Sequence, residues 1–166
     1  MKLSRNTWII LLIVFNIAID QITKLIVRAE VVPGSQTPII GDVFTLHNVE
    51  NSGAFLGMGS DFHPTLRLIL LLILPTVVLG YVVYYIITNK SLDRYSLIGF
   101  CCIVGGGVAN VYDRIVYGSV TDFFHIDLGG VFRTGIFNLA DMSVMFGMGL
   151  LLFASFKSRK TNKITT

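Results

Sequence analysis

The sequence predicts an all-α membrane protein in which four transmembrane helices carry a small extracytoplasmic sheet. Three observations point there. Of 166 residues, 53% are hydrophobic and only 14% charged, whereas soluble domains run near a quarter charged. The 13 basic and 10 acidic residues leave four long stretches nearly free of charge, and mean hydropathy is +0.72. The charges that remain are sorted by side of those stretches. This apolar content excludes a water-soluble domain and a disordered chain. The pI near 9.0 gives no reason to expect a nucleic-acid partner, because in a membrane protein basic residues usually report orientation.

Crossing a hydrocarbon core of about 30 Å takes about 20 apolar residues at roughly 1.5 Å each. The first span covers about residues 8–28; Ile9 to Ile19 carry no charge, and the helix continues past Asp20 and Lys24. Lys2 and Arg5 ahead of it would also suit a secretory signal peptide, but no small-residue cleavage site follows, so a retained helix is expected. The second span, about 67–88, is uncharged from Leu68 to Thr88, with Pro75 and Gly80 tolerable as kinks. The third, about 95–112, ends in Gly105, Gly106, Gly107 and Ala109. The fourth, about 137–156, holds a single charge, Asp141.

Four spans put both termini on one side. That side holds eight basic residues (Lys2, Arg5, Lys90, Arg94, Lys157, Arg159, Lys160, Lys163) against Asp93 alone, while the other holds five basic and nine acidic residues. The positive-inside rule then places both termini in the cytoplasm and segments 29–66 and 113–136 outside. Runs such as Val43 to His47 and Val116 to Ile126, punctuated by Gly and Pro, read as short strands of a sheet on the membrane surface. The tail after Lys157 reads as a frayed, solvated end. Asp141 lies 16 residues before Lys157, roughly 24 Å up and about 6 Å beneath the outer edge of the core. Asn110 lies 16 residues after Arg94 and Lys24 lies 16 after Trp8, with Asp20 one turn deeper and Asp113 and Arg114 at the interface. The chain therefore builds a polar layer just below its outer surface.

An ionisable group at that depth costs several kcal/mol unless paired. Asp20 and Lys24, at i and i+4, can neutralise each other as a structural ion pair. Asp141 has no local cation; its neighbour on the same face, Asn138, can orient a carboxylate but not neutralise it. Asp122 sits in the apolar strand-like run Val120 to Phe124, where alternation alone favours a solvent-facing acid. The opposite reading has Asp122 folded over Asp141, two carboxylates sharing a proton and so supplying a general acid and a general base. Asn51 offers an amide suited to gripping a peptide backbone, or forms a plain turn with Gly53. His47, His63 and His125 lack metal-ligand spacing, so no metal site is expected. Cys101 and Cys102 read as packing residues, and the glycine run as a close helix contact.

Five blocks in order resemble signal peptidase II, the lipoprotein signal peptidases: Asp20 to Lys24, Asn51 to Phe55, Gly106 to Arg114, Gly118 to Phe123, and Phe137 to Asp141. The similarity spans nearly the whole chain. It implies four transmembrane helices with an extracytoplasmic β cradle, a catalytic dyad of Asp122 and Asp141, and no cofactor. It also implies that Asp20, Lys24, Asn51, Gly53, Asn110, Asp113, Arg114, Asn138 and Ala140 support the site or hold substrate. Asn110 and Arg114 would meet substrate carbonyls, or Arg114 a lipid phosphate. The implied substrate is a prolipoprotein whose diacylglyceryl-modified cysteine lies near the outer leaflet of a bacterial inner membrane, and the enzyme would act among membrane lipids as a monomer. Ala109 and Met142 depart from the family's usual Gly and Ser. A proton-coupled transporter or relay using Asp20, Lys24 and Asp141 is the competing reading, with the lack of paired broken helices against it.

Overall fold

A computed structural model describes residues 3–54, 57–130 and 132–162. Its helices are α1 (Arg5–Glu30), α2 (Pro64–Arg67), α3 (Leu74–Thr88), α4 (Arg94–Val116) and α5 (Leu139–Asn162), and its strands are β1 (Gln36–Ile40), β2 (Phe44–Asn51) and β3 (Val120–Ile126). A π-helical stretch, Leu68–Ile73, joins α2 to α3, so the second span runs unbroken from Pro64 to Thr88. The π geometry follows from Pro75. It has no N–H to give Leu71, and its ring presses on that carbonyl; the Leu74 amide reaches back five residues to Ile69 O instead. Among the described residues four helices are long and apolar enough to cross a membrane. Their outward faces, including Ile10, Phe15, Val77, Tyr84, Phe146 and Leu152, are exposed apolar surface suited to lipid.

Helix α4 is the hub. Lipid chains are as apolar as leucine, so helices in a bilayer associate by close packing rather than by the hydrophobic effect. Three consecutive glycines each face a different neighbour. A Cβ on Gly105 would lie 2.5 Å from Asn16 Cβ of α1, one on Gly106 would strike the Ala140 carbonyl of α5, and one on Gly107 would lie 2.7 Å from Leu79 of α3. Gly99 and Gly147 meet the same way at the α4–α5 crossing. Ile9, Ile86 and Cys101 form one buried cluster, and Leu79, Val104 and Val111 another.

The strands form one antiparallel sheet in the order β1-β2-β3. An irregularity between Leu46 and Val49 shifts the β2–β3 register. Several boundaries differ from the sequence expectation. Helix α4 runs on past Tyr112 through Asp113 and Arg114 to Val116, because Asp113 is fully buried against cations of α1 and need not leave the helix. The third strand accordingly starts at Val120, not Val116. Helix α5 begins after Phe137, whose backbone pairs with Phe124, and continues beyond Lys157 to Asn162.

Candidate active site

The N-terminus of α5 fixes Asp141. Asn138 and Asp141 form a reciprocal cap: Asn138 Oδ1 accepts from the Asp141 amide at 2.9 Å, and Asp141 Oδ2 accepts from the Asn138 amide at 3.2 Å. The spacing Asn-x-x-Asp is that of a capping box, which satisfies two orphan donors at once. A third free amide, Ala140 N–H, donates to Asp20 Oδ1 at 2.8 Å. Asp141 is therefore held in the first turn of a helix, where the helix dipole favours negative charge. Its other oxygen accepts from Asn110 Nδ2 at 2.9 Å.

Asp122 arrives from β3 and is buried, at 3% exposure, against the solvent-facing reading of its alternating strand. Both faces of this strand are covered, so alternation cannot tell them apart. Asn138 Nδ2 donates to Asp122 Oδ1 at 2.6 Å, and Asn51 Nδ2 to Oδ2 at 2.8 Å. One residue, Asn138, thus touches both aspartates. Burial, and after it the charge of Asp141, push the Asp122 carboxyl up to about 6, against the pull of the Asn51 and Asn138 hydrogen bonds. Asp122 and Asp141 also line adjoining cavities that share Gly135. The first, about 310 Å³, includes Asn51, Ser52 and Ser60. The second, about 460 Å³ and mostly apolar, includes Phe132, Phe137, Met142 and Met145.

Beneath these two aspartates lies a fully buried ionic cluster. Lys24 Nζ is 2.8 Å from Asp20 Oδ2 and 2.7 Å from Asp113 Oδ2, and donates to Asn110 Oδ1 at 2.8 Å. Three acceptors use the three ammonium protons. Gln21 Nε2 donates to Asp113 Oδ1 at 3.0 Å. Arg28, one turn beyond Lys24, brings NH2 to 3.4 Å from Asp113 Oδ1 and stacks on the Tyr117 ring at 3.8 Å. Sequence reading gave no role to Gln21, Arg28 or Glu50, although Arg28 at i+4 from Lys24 was a usable signal. Glu50 accepts from Thr121 Oγ1 at 2.6 Å.

Two residues expected to grip substrate spend their donors internally. Arg114 donates to Gly53 O at 2.8 Å and Asn110 O at 3.3 Å, leaving its buried Nε free. Asn51 also bonds Ala54 O at 3.0 Å and accepts from the Gly53 amide at 2.9 Å, so it builds a turn and supports Asp122 together. A Cβ on Gly53 would sit 2.5 Å from Gly57 O. Phe55 of that block lies outside the described residues. Ala109 is fully buried, with its carbonyl accepting from Gln21 at 3.3 Å, while Met142 is exposed. His47 and His125 meet edge to face, centroids 5.6 Å apart. Among the described residues no group of three or more His, Cys, Asp or Glu is arranged to hold a metal. Cys101 and Cys102 are buried and unbridged.

A family model described as Signal peptidase (SPase) II matches residues 12–157. A lipoprotein signal peptidase of Clostridium novyi is 34% identical over 86% of this chain and 93% of its own. One of Brevibacillus brevis is 35% identical over 94% and 99%. A bacterial membrane enzyme solved by the in meso method at 2.3 Å resolution superposes with a TM-score of 0.81 at 26% identity, covering 93% of this chain and 91% of that one. With the family model matched from residue 12 to residue 157 and relatives of 34% and 35% identity over most of the chain, the chain belongs to the signal peptidase II family.

Proposed function

We propose that this protein is an aspartyl endopeptidase that removes signal peptides from lipoprotein precursors, with Asp122 and Asp141 as its catalytic residues. The observation that carries this reading is the Asn138 clamp, one side chain bonded to both carboxylates. A dyad holding one proton has a base and an acid side by side. The ionised member takes a proton from water, whose oxygen attacks the carbon of the amide before the cysteine. The protonated member donates to the carbonyl oxygen. Collapse of the tetrahedral intermediate breaks the C–N bond, and a proton passes to the leaving amine. No cofactor takes part.

The substrate is a precursor whose signal peptide crosses the membrane and whose cysteine carries a diacylglyceryl group. The apolar cavity beside Asp141, walled by Phe137, Met142 and Met145, suits such a lipid-level ligand. Asn51, Gly53, Asn110, Arg114, Asn138 and Ala140 position the dyad, while Asp20, Lys24 and Asp113 neutralise the layer beneath it. The protein works as a monomer among the lipids of a bacterial inner membrane, termini in the cytoplasm and dyad toward the outer leaflet. Proton transport is disfavoured because Asp20 and Lys24 are locked together at 2.8 Å with no exposure.

The test follows release of signal peptide from lipid-modified precursor by protein purified in detergent. Asp122→Asn and Asp141→Asn should each lower kcat by about a thousandfold or more. Retained cleavage in both would overturn the dyad, and equal cleavage of unmodified precursor would overturn the lipid requirement.

A further inference from the structure

Residues 132–137 run antiparallel along the outer edge of β3. The Thr134 amide donates to Ile126 O at 2.9 Å, and Phe137 and Phe124 exchange backbone bonds at 2.8 Å. Between those anchors this segment carries two residues, Gly135 and Ile136, against one, His125, on β3. That is a β-bulge, a device common beside active sites. Among the described residues the Gly135 and Ile136 amides have no hydrogen-bond partner. Both residues are only partly exposed, and their donors stand open to a ligand.

Their position gives those donors a use. Gly135 lines both aspartate cavities and a third, of about 650 Å³; Ile136 lines that third cavity and the one holding Asp122. The third contains neither aspartate. Its walls include Asp42, His47, His125, Asp127 and Arg133. Asp122 and His125 are three residues apart on β3, so strand alternation sends them to opposite faces. The bulge on the strand's edge is where a chain leaving one face reaches the other.

The third cavity is more polar than the Asp141 cavity. Arg133 Nε lies 3.4 Å from both Asp127 Oδ2 and His125 Nε2. Arginine can only donate, so His125 Nε2 accepts and its Nδ1–H faces Gly135 O at 3.5 Å. His47 shares a hydrogen bond with Thr45 Oγ1 at 2.8 Å. Burial holds the His47 imidazole below its ordinary value. Arg133 is matched by Asp127, whereas exposed Asp42 has no ion pair among the described residues. The cavity therefore disfavours an acidic occupant.

We propose that the mature polypeptide, on the far side of the cleaved bond from the signal peptide, rounds the bulge with its carbonyls accepting from the Gly135 and Ile136 amides. It then lies in the polar cavity of His47, His125 and Arg133, where Asp42 selects neutral or basic residues over acidic ones. The recognition is main-chain hydrogen bonding at the margin of a sheet. It rests on the peptidase reading above and deepens it, by assigning a subsite to the part of the substrate that stays outside the membrane.

The experiment compares three lipid-modified precursors identical through the cysteine: one ended there as a carboxamide, one with four neutral polar residues beyond it, and one with four acidic residues. Wild-type enzyme should cleave the neutral-tailed precursor with kcat/KM about tenfold above the tailless one, mostly through KM. The acidic tail should be about fivefold worse than the neutral one. Asp42→Asn should narrow that penalty to about twofold. Gly135→Pro, which removes a donor, should abolish the tail advantage, and Gly135→Ala, which keeps it, should not. Should Gly135→Pro fail to fold, the Asp42→Asn comparison still decides. Equal cleavage of tailed and tailless precursors by wild type, or an acidic penalty untouched by Asp42→Asn, would overturn the subsite. Wild-type failure on all three precursors would overturn the peptidase reading itself, and the subsite with it.

Discussion

At the scale of single residues, Asn138 does two separable jobs, capping α5 and joining Asp122 to Asp141. Asn138→Ala should cost about 1–2 kcal/mol of stability through the lost cap and lower kcat about a hundredfold. Asn138→Ser keeps a capping oxygen but not the amide, so thermal unfolding should recover while turnover does not. Asp122 supplies a pH signature. Its carboxyl is ordinarily half-ionised at 3.8 but is held at about 6 in the fold. Between those values the unfolded chain has released its proton and the folded one has not, so stability falls as pH rises through this window and levels off above it. Unfolding midpoints of wild type from pH 4 to 7 should show that decline, and Asp122→Asn should flatten it. These residues were legible in the sequence as candidates, and Asp141 announced itself as a charge without a local partner. The burial of Asp122 was not, because an alternating pattern cannot say which face is covered when both are.

Among the elements, α4 combines the tightest and the most deceptive features. Gly106→Val drives a side chain into the Ala140 carbonyl, and should cost about 3 kcal/mol or more, or prevent folding. Gly80 of α3 is also a glycine within a span, yet a Cβ there meets nothing within 4 Å. Gly80→Ala should be neutral or stabilising by up to about 1 kcal/mol. The pair separates contact glycines from incidental ones by unfolding in detergent. Hydropathy located all four membrane helices, since a span is a run of similar residues and needs no partner to be recognised. It ended the third span at the charges Asp113 and Arg114, whereas the helix itself runs on to Val116. Whether a charge ends a helix depends on what meets it, and Lys24, Arg28 and Gly53 come from distant parts of the chain. The irregularity in β2 and the bulge at Gly135 were hidden for the same reason: both exist only relative to β3.

For the whole molecule, the buried cluster of Asp20, Lys24 and Asp113 ties α1 to α4 under the dyad. Lys24→Met would leave Asp20 and Asp113 buried without their shared cation, and should cost about 3–5 kcal/mol. Adding Asp20→Asn should recover more than half, since Asp113 keeps Arg28 at 3.4 Å; failure of that rescue in thermal melts would show that packing, not charge, is at stake. The sequence already contained half of this lock in the i, i+4 spacing of Asp20 and Lys24. That spacing also matters during biosynthesis. Asn110, the partner of Lys24 on α4, lies 86 residues further along the chain, so the ribosome releases α1 long before any of α4 exists. Asp20 and Lys24, already within reach of each other, let the two charges deepest in the first helix enter the bilayer as a neutral pair, and the bond that serves the finished protein serves first as their passport into the membrane.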